Sequence, residues 1–462
     1  MIAFLSKIRR VGKQLMKSEM LKKVSANMSW LFIERMIMLA VTLAVGVYVA
    51  RYLGPKYYGI LNFAISFIAL FIAIANLGLQ NVLVKELVEH EDEHNTFMGS
   101  AFLMKLGGSI ILLGIVFFSS QMMDLDATTR TIVFIIGAGL LFKSLDTIGF
   151  FFQSKVQSKF EAVARTTSLL SISAVKVILI LLKAPLIYFA LVYMLEHVIT
   201  STVLMIFYKR QGRSIVNWRF SKKAVVYLFN ECWPIIISGL VVSVHLKVDQ
   251  VMINQMLGDE EVGYYAAAAK ISDVWYFIPT IIMSSVFPVI VKTKSKSKKL
   301  FDEQLHMLYD SMVILSLSVA IPLTFLSDWL INLLYGVEYS LTGKVLSIHI
   351  WSAVFGFMNV VRGKWAVIEK QQRFGVFIQG SGALVNIALN FFMIPAYGII
   401  GAAMATLITV ASNVIIAPLF INANYRGQVK MIVSSLNLFS LIPRVIKQIK
   451  SVLGGKEYQV VK

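Results

Sequence analysis

The chain has 462 residues, 57% of them hydrophobic and only 15% charged, with a mean hydropathy of +0.74, whereas soluble domains carry about a quarter charged residues. That balance excludes a soluble globular protein and points to a polytopic membrane protein. The formal net charge of +19 is read as a topology signal, because the basic residues gather in particular connections. Nucleic-acid binding is not expected.

The chain opens on a basic tail, 1–26, holding Lys7, Arg9, Arg10, Lys13, Lys17, Lys22 and Lys23. It lacks the compact apolar core and small-residue cleavage site of a signal peptide. Apolar stretches of about 20 residues then recur, and in lipid these must be helical because every backbone group has to be satisfied internally. The expected fold class is an all-α membrane protein with about twelve transmembrane helices. They are placed at 27–50, 57–83, 96–119, 129–152, 159–182, 185–208, 223–255, 261–291, 303–334, 341–368, 373–394 and 398–421.

These spans group into an N-terminal six-helix lobe (27–208), a basic linker (209–222) and a C-terminal six-helix lobe (223–421). A basic tail (422–462) follows, in which "MIVSSLNLFSLIPRVIKQIKSVL" reads either as an interfacial amphipathic helix or as an irregular basic segment. Lys and Arg concentrate in the N-terminal tail, "YKRQGRSIVNWRFSKK" (208–223), "VKTKSKSKK" (291–299) and the C-terminal tail. The alternate connections, such as "MMDLDATT" (122–129) and "GDEEVG" (258–263), contribute only Arg51, Lys56, Arg130, Lys183 and Lys344. Basic connections stay in the cytoplasm, so both termini are expected there.

A weak internal repeat supports two blocks. Leu53-Gly54-x4-Gly59, in "RYLGPKYYG", returns 204 residues later as Leu257-Gly258-x4-Gly263, and Pro185 corresponds to Pro395 between later spans. Because six is even, both blocks enter the membrane from the same side, which predicts lobes related by a pseudo-two-fold along the membrane normal around a central cavity. The first glycine pair is expected to form a tight external hairpin.

The stretches "RYLGPKYYGILNFAISFIALFIAIANLGL", "VDQVMINQMLGDEEVGYYAAAAKISDVWYFIP", "YFIPTIIMSSVFPVI" and "FFMIPAYGIIGAA" resemble oligosaccharide-lipid flippases of the Wzx type, within the multidrug/oligosaccharidyl-lipid/polysaccharide exporter superfamily. The resemblance runs along the whole chain. It implies movement of a polyprenyl-diphosphate-linked oligosaccharide across the cytoplasmic membrane for surface polysaccharide synthesis (O-antigen, capsule or exopolysaccharide), by alternating access and without a cofactor. Membrane lipids and polysaccharide polymerase machinery are the implied partners. In related flippases basic residues on the first and eighth spans line the cavity, a property that carries over to Arg35 and Lys270 here.

Charge inside a bilayer is costly, so retained charges are expected to face protein or water. Arg35, Lys105, Lys176 and Lys247 have no acid three or four residues away and, with Lys270, are the candidates for holding a diphosphate. Arg362 and Lys364 also lack such an acid and are expected to snorkel to the headgroups. Lys143 with Asp146, Lys270 with Asp273 and Glu161 with Arg165 are spaced for local pairing. Candidates for ion coupling are Glu34, Glu196, Asp249 and Asp273. Histidines such as His197 and His349 read as packed interior residues or proton relays, and Trp275, Tyr276 and Trp365 as packing or sugar-stacking aromatics.

An enzyme is not expected: no Walker motif, metal-ligand cluster or nucleophile arrangement is found, and no long external loop. Cys232, the sole cysteine, permits no internal disulfide. The alternative reading is an ion-coupled multidrug exporter of the same superfamily, which would depend on acidic cavity residues.

Overall fold

The computed structural model describes residues 19–437 and 439–444, with side chains from residue 36 onward apart from Ile37. The side chains of Glu34 and Arg35, residues 1–18 of the N-terminal tail and residues 438 and 445–462 of the C-terminal tail lie outside the described residues. All regular structure among the described residues is helical. In chain order the helices are α1 (Glu19–Asn76), α2 (Leu79–Glu89), α3 (His94–Met122), α4 (Ala127–Lys143), α5 (Thr147–Ser154), α6 (Lys159–Leu181) and α7 (Leu186–Arg210). There follow α8 (Lys222–Leu257), α9 (Asp259–Val274), α10 (Phe277–Lys296), α11 (Lys298–Leu334), α12 (Ser340–His349), α13 (Ser352–Ile368), α14 (Arg373–Ile415) and α15 (Ala423–Leu436).

Among the described residues nine helical segments are long and apolar enough to cross a membrane, or ten when α12 and α13, bent by 48°, count as one span. Two of the long helices are interrupted by a non-helical glycine, α1 at Gly54 and α14 at Gly398. Polar side chains start several helices by accepting orphan backbone N–H groups: Asp126 for α4, Ser221 for α8, Ser297 for α11 and Asn422 for α15. Partial burial works to raise the pKa of Asp126. The bonds donated by Thr129 and Thr128 outweigh it and hold the carboxyl below its usual range.

Connections alternate in space between two ends of the bundle. At one end, Tyr52 Oη donates to Ala184 O at 2.8 Å and Tyr339 Oη to Ala50 O at 2.8 Å, joining the first kink to two later connections. At the other, Arg219 N donates to Asn95 O at 3.0 Å, Gln211 to Gln157 at 2.6 Å and Tyr227 Oη to Glu86 at 2.9 Å, while Lys155 pairs with Glu91. The second end gathers the basic linker.

The repeated glycines share one backbone conformation. Gly54 has φ 71° and ψ 170°, and Gly258, between α8 and α9, has φ 107° and ψ −176°. That region is open essentially to glycine alone, and a residue with a Cβ held there costs about 1–3 kcal/mol. Gly258→Ala is therefore expected to lower stability by about that amount, read as a drop in the melting temperature of the detergent-purified protein.

The second glycine of each pair does something the hairpin expectation did not include. A Cβ on Gly59 would overlap the Asp259 carbonyl oxygen, and one on Gly263 would overlap the Pro55 carbonyl oxygen. The two contacts are reciprocal, since Pro55 and Asp259, like Gly59 and Gly263, stand 204 residues apart. Backbone thus meets backbone where α1 crosses α9, the helix pair that packs most extensively in the molecule. Tyrosines close over this seam: Tyr339 meets Tyr58 and Tyr264 edge-on at centroid distances of 6.4 and 6.1 Å.

Arg362 does not snorkel. It is 5% exposed, and its Nη1 donates to the carbonyls of Asn413 at 2.5 Å and Val414 at 3.3 Å while Nη2 reaches Asn359 at 2.6 Å. The last carbonyls of α14 have no intrahelical donor, and the guanidinium supplies one. Of the three local pairs anticipated from spacing, Glu161 with Arg165 forms an ion pair. Lys143 with Asp146 and Lys270 with Asp273 do not come within ion-pair distance among the described residues.

Candidate functional site

Two polar groups lie inside the helical bundle. The first is cationic. Lys176 of α6 places its Nζ 4.5 Å from the ring centroid of Tyr193 on α7. Lys270 of α9 lies within electrostatic reach of both Tyr193 and Lys176, and its ammonium rests over Gly46 of α1. Among the described residues neither lysine has a hydrogen bond or an ion pair. Glu196, one turn along α7 from Tyr193, is the acid electrostatically nearest Lys176. Both lysines are half-buried yet surrounded by protein. Ammonium groups accessible to water but unmatched by a carboxylate can accept an anion with little rearrangement.

The second group is built on a carboxylate. Asp249 of α8 is 6% exposed. Its Oδ1 accepts from Asn390 Nδ2 at 2.6 Å, and its Oδ2 from Tyr265 Oη at 2.8 Å and Thr406 Oγ1 at 2.6 Å. Thr406 also lies 3.0 Å from Tyr265 Oη, and Asn390 donates to Asn386 at 3.1 Å. Asn386, Asn390 and Thr406 all project from α14, so three helices meet at this acid. No Lys or Arg pairs with it among the described residues. The buried Asn390 Oδ1 is left without a donor, so further oxygen ligation is at hand for a proton or a small cation.

His349 on α12 lies near the second group, 5% exposed, its ring edge-on to Tyr265 at 5.7 Å. Its Nδ1 has no hydrogen-bond partner among the described residues, and Asp273 and Asp249 are the acids that act on it electrostatically. Asp273 itself is exposed to solvent although protein surrounds it, and the Lys247 ammonium and the His349 imidazole are the groups that act on it electrostatically.

The remaining candidates stand apart. Lys105 is 2% exposed and donates to the carbonyl of Lys143 at 3.1 Å, at the C-terminal end of α4. There it acts as a helix cap, with the Phe150 ring 5.2 Å from its ammonium. Glu34 and Arg35 have no described side chains. Sequence reasoning missed Tyr265, Asn386, Asn390 and Thr406. The one signal for them was two asparagines a helical turn apart in an otherwise apolar span, where each amide must find a partner.

A bundle of helices long and apolar enough to cross a membrane, with cations and a buried carboxylate held inside it, is a multi-pass membrane protein. Residues 24–294, more than half of the sequence, match the family model for polysaccharide biosynthesis proteins, and the chain belongs to that family. Residues 234–392 also match the MatE family model.

Among curated relatives, the chain is 23% identical over 193 residues to the protein of Haloferax volcanii named as a low-salt glycan biosynthesis flippase, Agl15. That match spans 41% of this chain and 40% of the relative's length. It is 22% identical over 376 residues to the Shigella flexneri protein named as an O-antigen transporter, covering 78% of this chain and 88% of that one. Among solved structures, the inward closed conformation of the lipid II flippase MurJ superposes with a TM-score of 0.69 at 16% identity, over 91% of this chain and 96% of that one. An inward-facing multidrug resistance transporter of the MATE family superposes at 0.63 and 11% identity, with the same coverage. These likenesses establish the fold.

Proposed function

We propose that the protein is a flippase that carries a polyprenyl-diphosphate-linked oligosaccharide across the cytoplasmic membrane for surface polysaccharide synthesis. The observation that carries the reading is the pair Lys176 and Lys270: two ammonium groups gathered from two helices around Tyr193, accessible and without a carboxylate partner among the described residues. A diphosphate suits such a site by charge and by its many acceptor oxygens. The names of the Haloferax and Shigella relatives agree with it.

With the kinks at Gly54 and Gly398 taken as span boundaries and the bent α12–α13 pair as one span, the chain reads as two six-helix lobes with both termini in the cytoplasm. The glycine seam then lies at the outer end and is closed. The headgroup enters between the lobes from inside, its polyprenyl tail stays in lipid, and parting of the seam releases it outside. An inside-negative potential assists an uncompensated anion by about 2.3 kcal/mol per charge per 100 mV. Asp249, with Asn386, Asn390 and Thr406 about it, is the proposed coupling site for a proton or small cation. Glu196, beside Lys176, and Asp273, beside Lys247, set the balance of charge around the lysines. Polymerase machinery is the proposed downstream partner.

In proteoliposomes, Lys176→Ala combined with Lys270→Ala is expected to slow transbilayer movement of a polyprenyl-diphosphate-linked oligosaccharide by more than about tenfold, the loss of one charge-assisted contact being at least that large. Unchanged flipping by the double variant would remove the reading.

A second reading, an ion-coupled multidrug exporter, is favoured by the MATE structural neighbour and by Asp273, which is water-accessible and has no ion pair among the described residues. A cationic drug would be drawn to that acid. Resistance of expressing cells to cationic drugs, lost in Asp273→Asn, would favour it over the flippase.

A further inference from the structure

We propose that Gly46 is a positioning residue: by lacking a side chain it seats the Lys270 ammonium in the cationic site, which makes the site a composite of α9 with α1, α6 and α7. The proposal rests on the assignment of Lys270 to anion binding.

The geometry is specific. Among the described residues, the atoms beyond its own helix that a Cβ built on Gly46 would meet are all of Lys270: Nζ in overlap, Cε at 3.1 Å and Cδ at 4.0 Å. Gly59 and Gly263, by contrast, face backbone that cannot yield. A methyl group at position 46 therefore leaves the helix packing intact and displaces only the tip of a flexible side chain. What changes is where one positive charge sits relative to Lys176 and Tyr193.

The place of Gly46 in the fold gives that seat a second consequence. It lies eight residues before the Gly54 kink, and Lys270 lies seven residues after Gly263, so both are roughly 10–12 Å along their helices from the seam. Lys176 and Tyr193 stand on helices that pack against α1. When the seam parts, α1 leaves α9, the ammonium leaves its seat, and the two lysines separate. A site tight for an anion with the seam closed is thereby weakened as it opens, which is the direction release requires.

The test is a double-mutant cycle on the purified full chain, with farnesyl diphosphate as the probe and farnesol as the control for the tail. Lys270→Ala is expected to weaken farnesyl diphosphate binding by about tenfold or more while leaving farnesol unchanged. Gly46→Ala is expected to produce a comparable loss, and Gly46→Ala/Lys270→Ala no further loss, because both changes act on one charge. Wild-type affinity in Gly46→Ala, or losses that multiply in the double variant, would overturn the positioning role. No effect of Lys270→Ala would instead overturn the anion-site reading beneath it. If Gly46→Ala fails to accumulate, Lys270→Arg decides: its planar guanidinium keeps the charge but cannot share a seat shaped for an ammonium. Affinity is then expected to fall toward that of Lys270→Ala, and wild-type affinity in Lys270→Arg would overturn the proposal.

Discussion

Asp249→Asn is expected to yield a folded protein whose transport no longer responds to the coupling cation. The carboxylate is buried, receives three neutral hydrogen bonds and has no basic partner among the described residues. An isolated buried charge is costly, which is why the coupling role is proposed for this carboxylate. Asparagine keeps the volume and one acceptor oxygen but carries no charge. A coupling free energy between two sites is typically about 1–3 kcal/mol, a factor of roughly 5–150 in the coupled equilibrium. The expected loss in cation-stimulated or pH-stimulated flipping lies in that range, measured in proteoliposomes with sodium and proton gradients imposed separately. A variant that kept both responses would move coupling away from α8 and α14. Asp249→Ala is a useful contrast, because it strands the Tyr265, Thr406 and Asn390 donors and is expected to destabilise the protein as well.

Hydrophobic periodicity and charge placement made the helical class and the positions of most connections readable in advance. The same one-dimensional signals misjudged what several polar residues do, because their partners are remote in sequence. Arg362 was assigned to the headgroups from its position near the end of a span. Beside Asn359 on its own helix, its acceptors are the carbonyls of Asn413 and Val414, about fifty residues downstream. Lys105 qualifies as a candidate because no acid lies a helical turn away, yet the group that accepts its hydrogen bond is a backbone carbonyl, which spacing rules between charged residues do not consider. The Asp249 group was half legible. The acid stood out, while its neutral partners from α9 and α14 did not, since Tyr, Thr and Asn are unremarkable in composition and only convergence of three helices gives them a role.

The glycine repeat carries the same lesson in another form. Gly54 and Gly258 were readable as turn residues, and their positive φ agrees with that. Gly59 and Gly263 owe their identity to each other's helix, a pairing across 204 residues that no local window contains. Lys270 and Gly46 extend this pattern down the same two helices. A single helix pair therefore holds both the closest backbone contact in the seam and one half of the proposed anion site, which gives seam and site a common mechanical element rather than a chain of relays.

Replacement of Gly59 or Gly263 by valine is expected to hold the seam apart and stop transport. In each case the new Cβ would overlap a carbonyl oxygen of the opposing helix, which has no rotamer by which to withdraw. Ordinary overpacking by side chains costs about 1–3 kcal/mol, and overlap with backbone exceeds it. Each 1.4 kcal/mol or so shifts a two-state population tenfold, so the closed form becomes a minor species. The closed seam has little reserve against this, because the buried hydroxyl of Tyr335, whose ring lies 5.3 Å from that of Tyr339, has no hydrogen-bond partner among the described residues and regains one on exposure to water. Ala50, fully buried beneath Tyr339, supplies the reporter. With Cys232→Ser removing the native thiol, Ala50→Cys is expected to resist a membrane-impermeant thiol reagent added outside intact cells and to react readily once Gly59→Val is introduced. The same double change made with Gly107→Val, a position where a Cβ meets nothing within 4 Å, is expected to leave Ala50→Cys protected. Equal protection in the Gly59 and Gly107 variants, with both transporting normally, would mean that the backbone contact between α1 and α9 is not the outer closure.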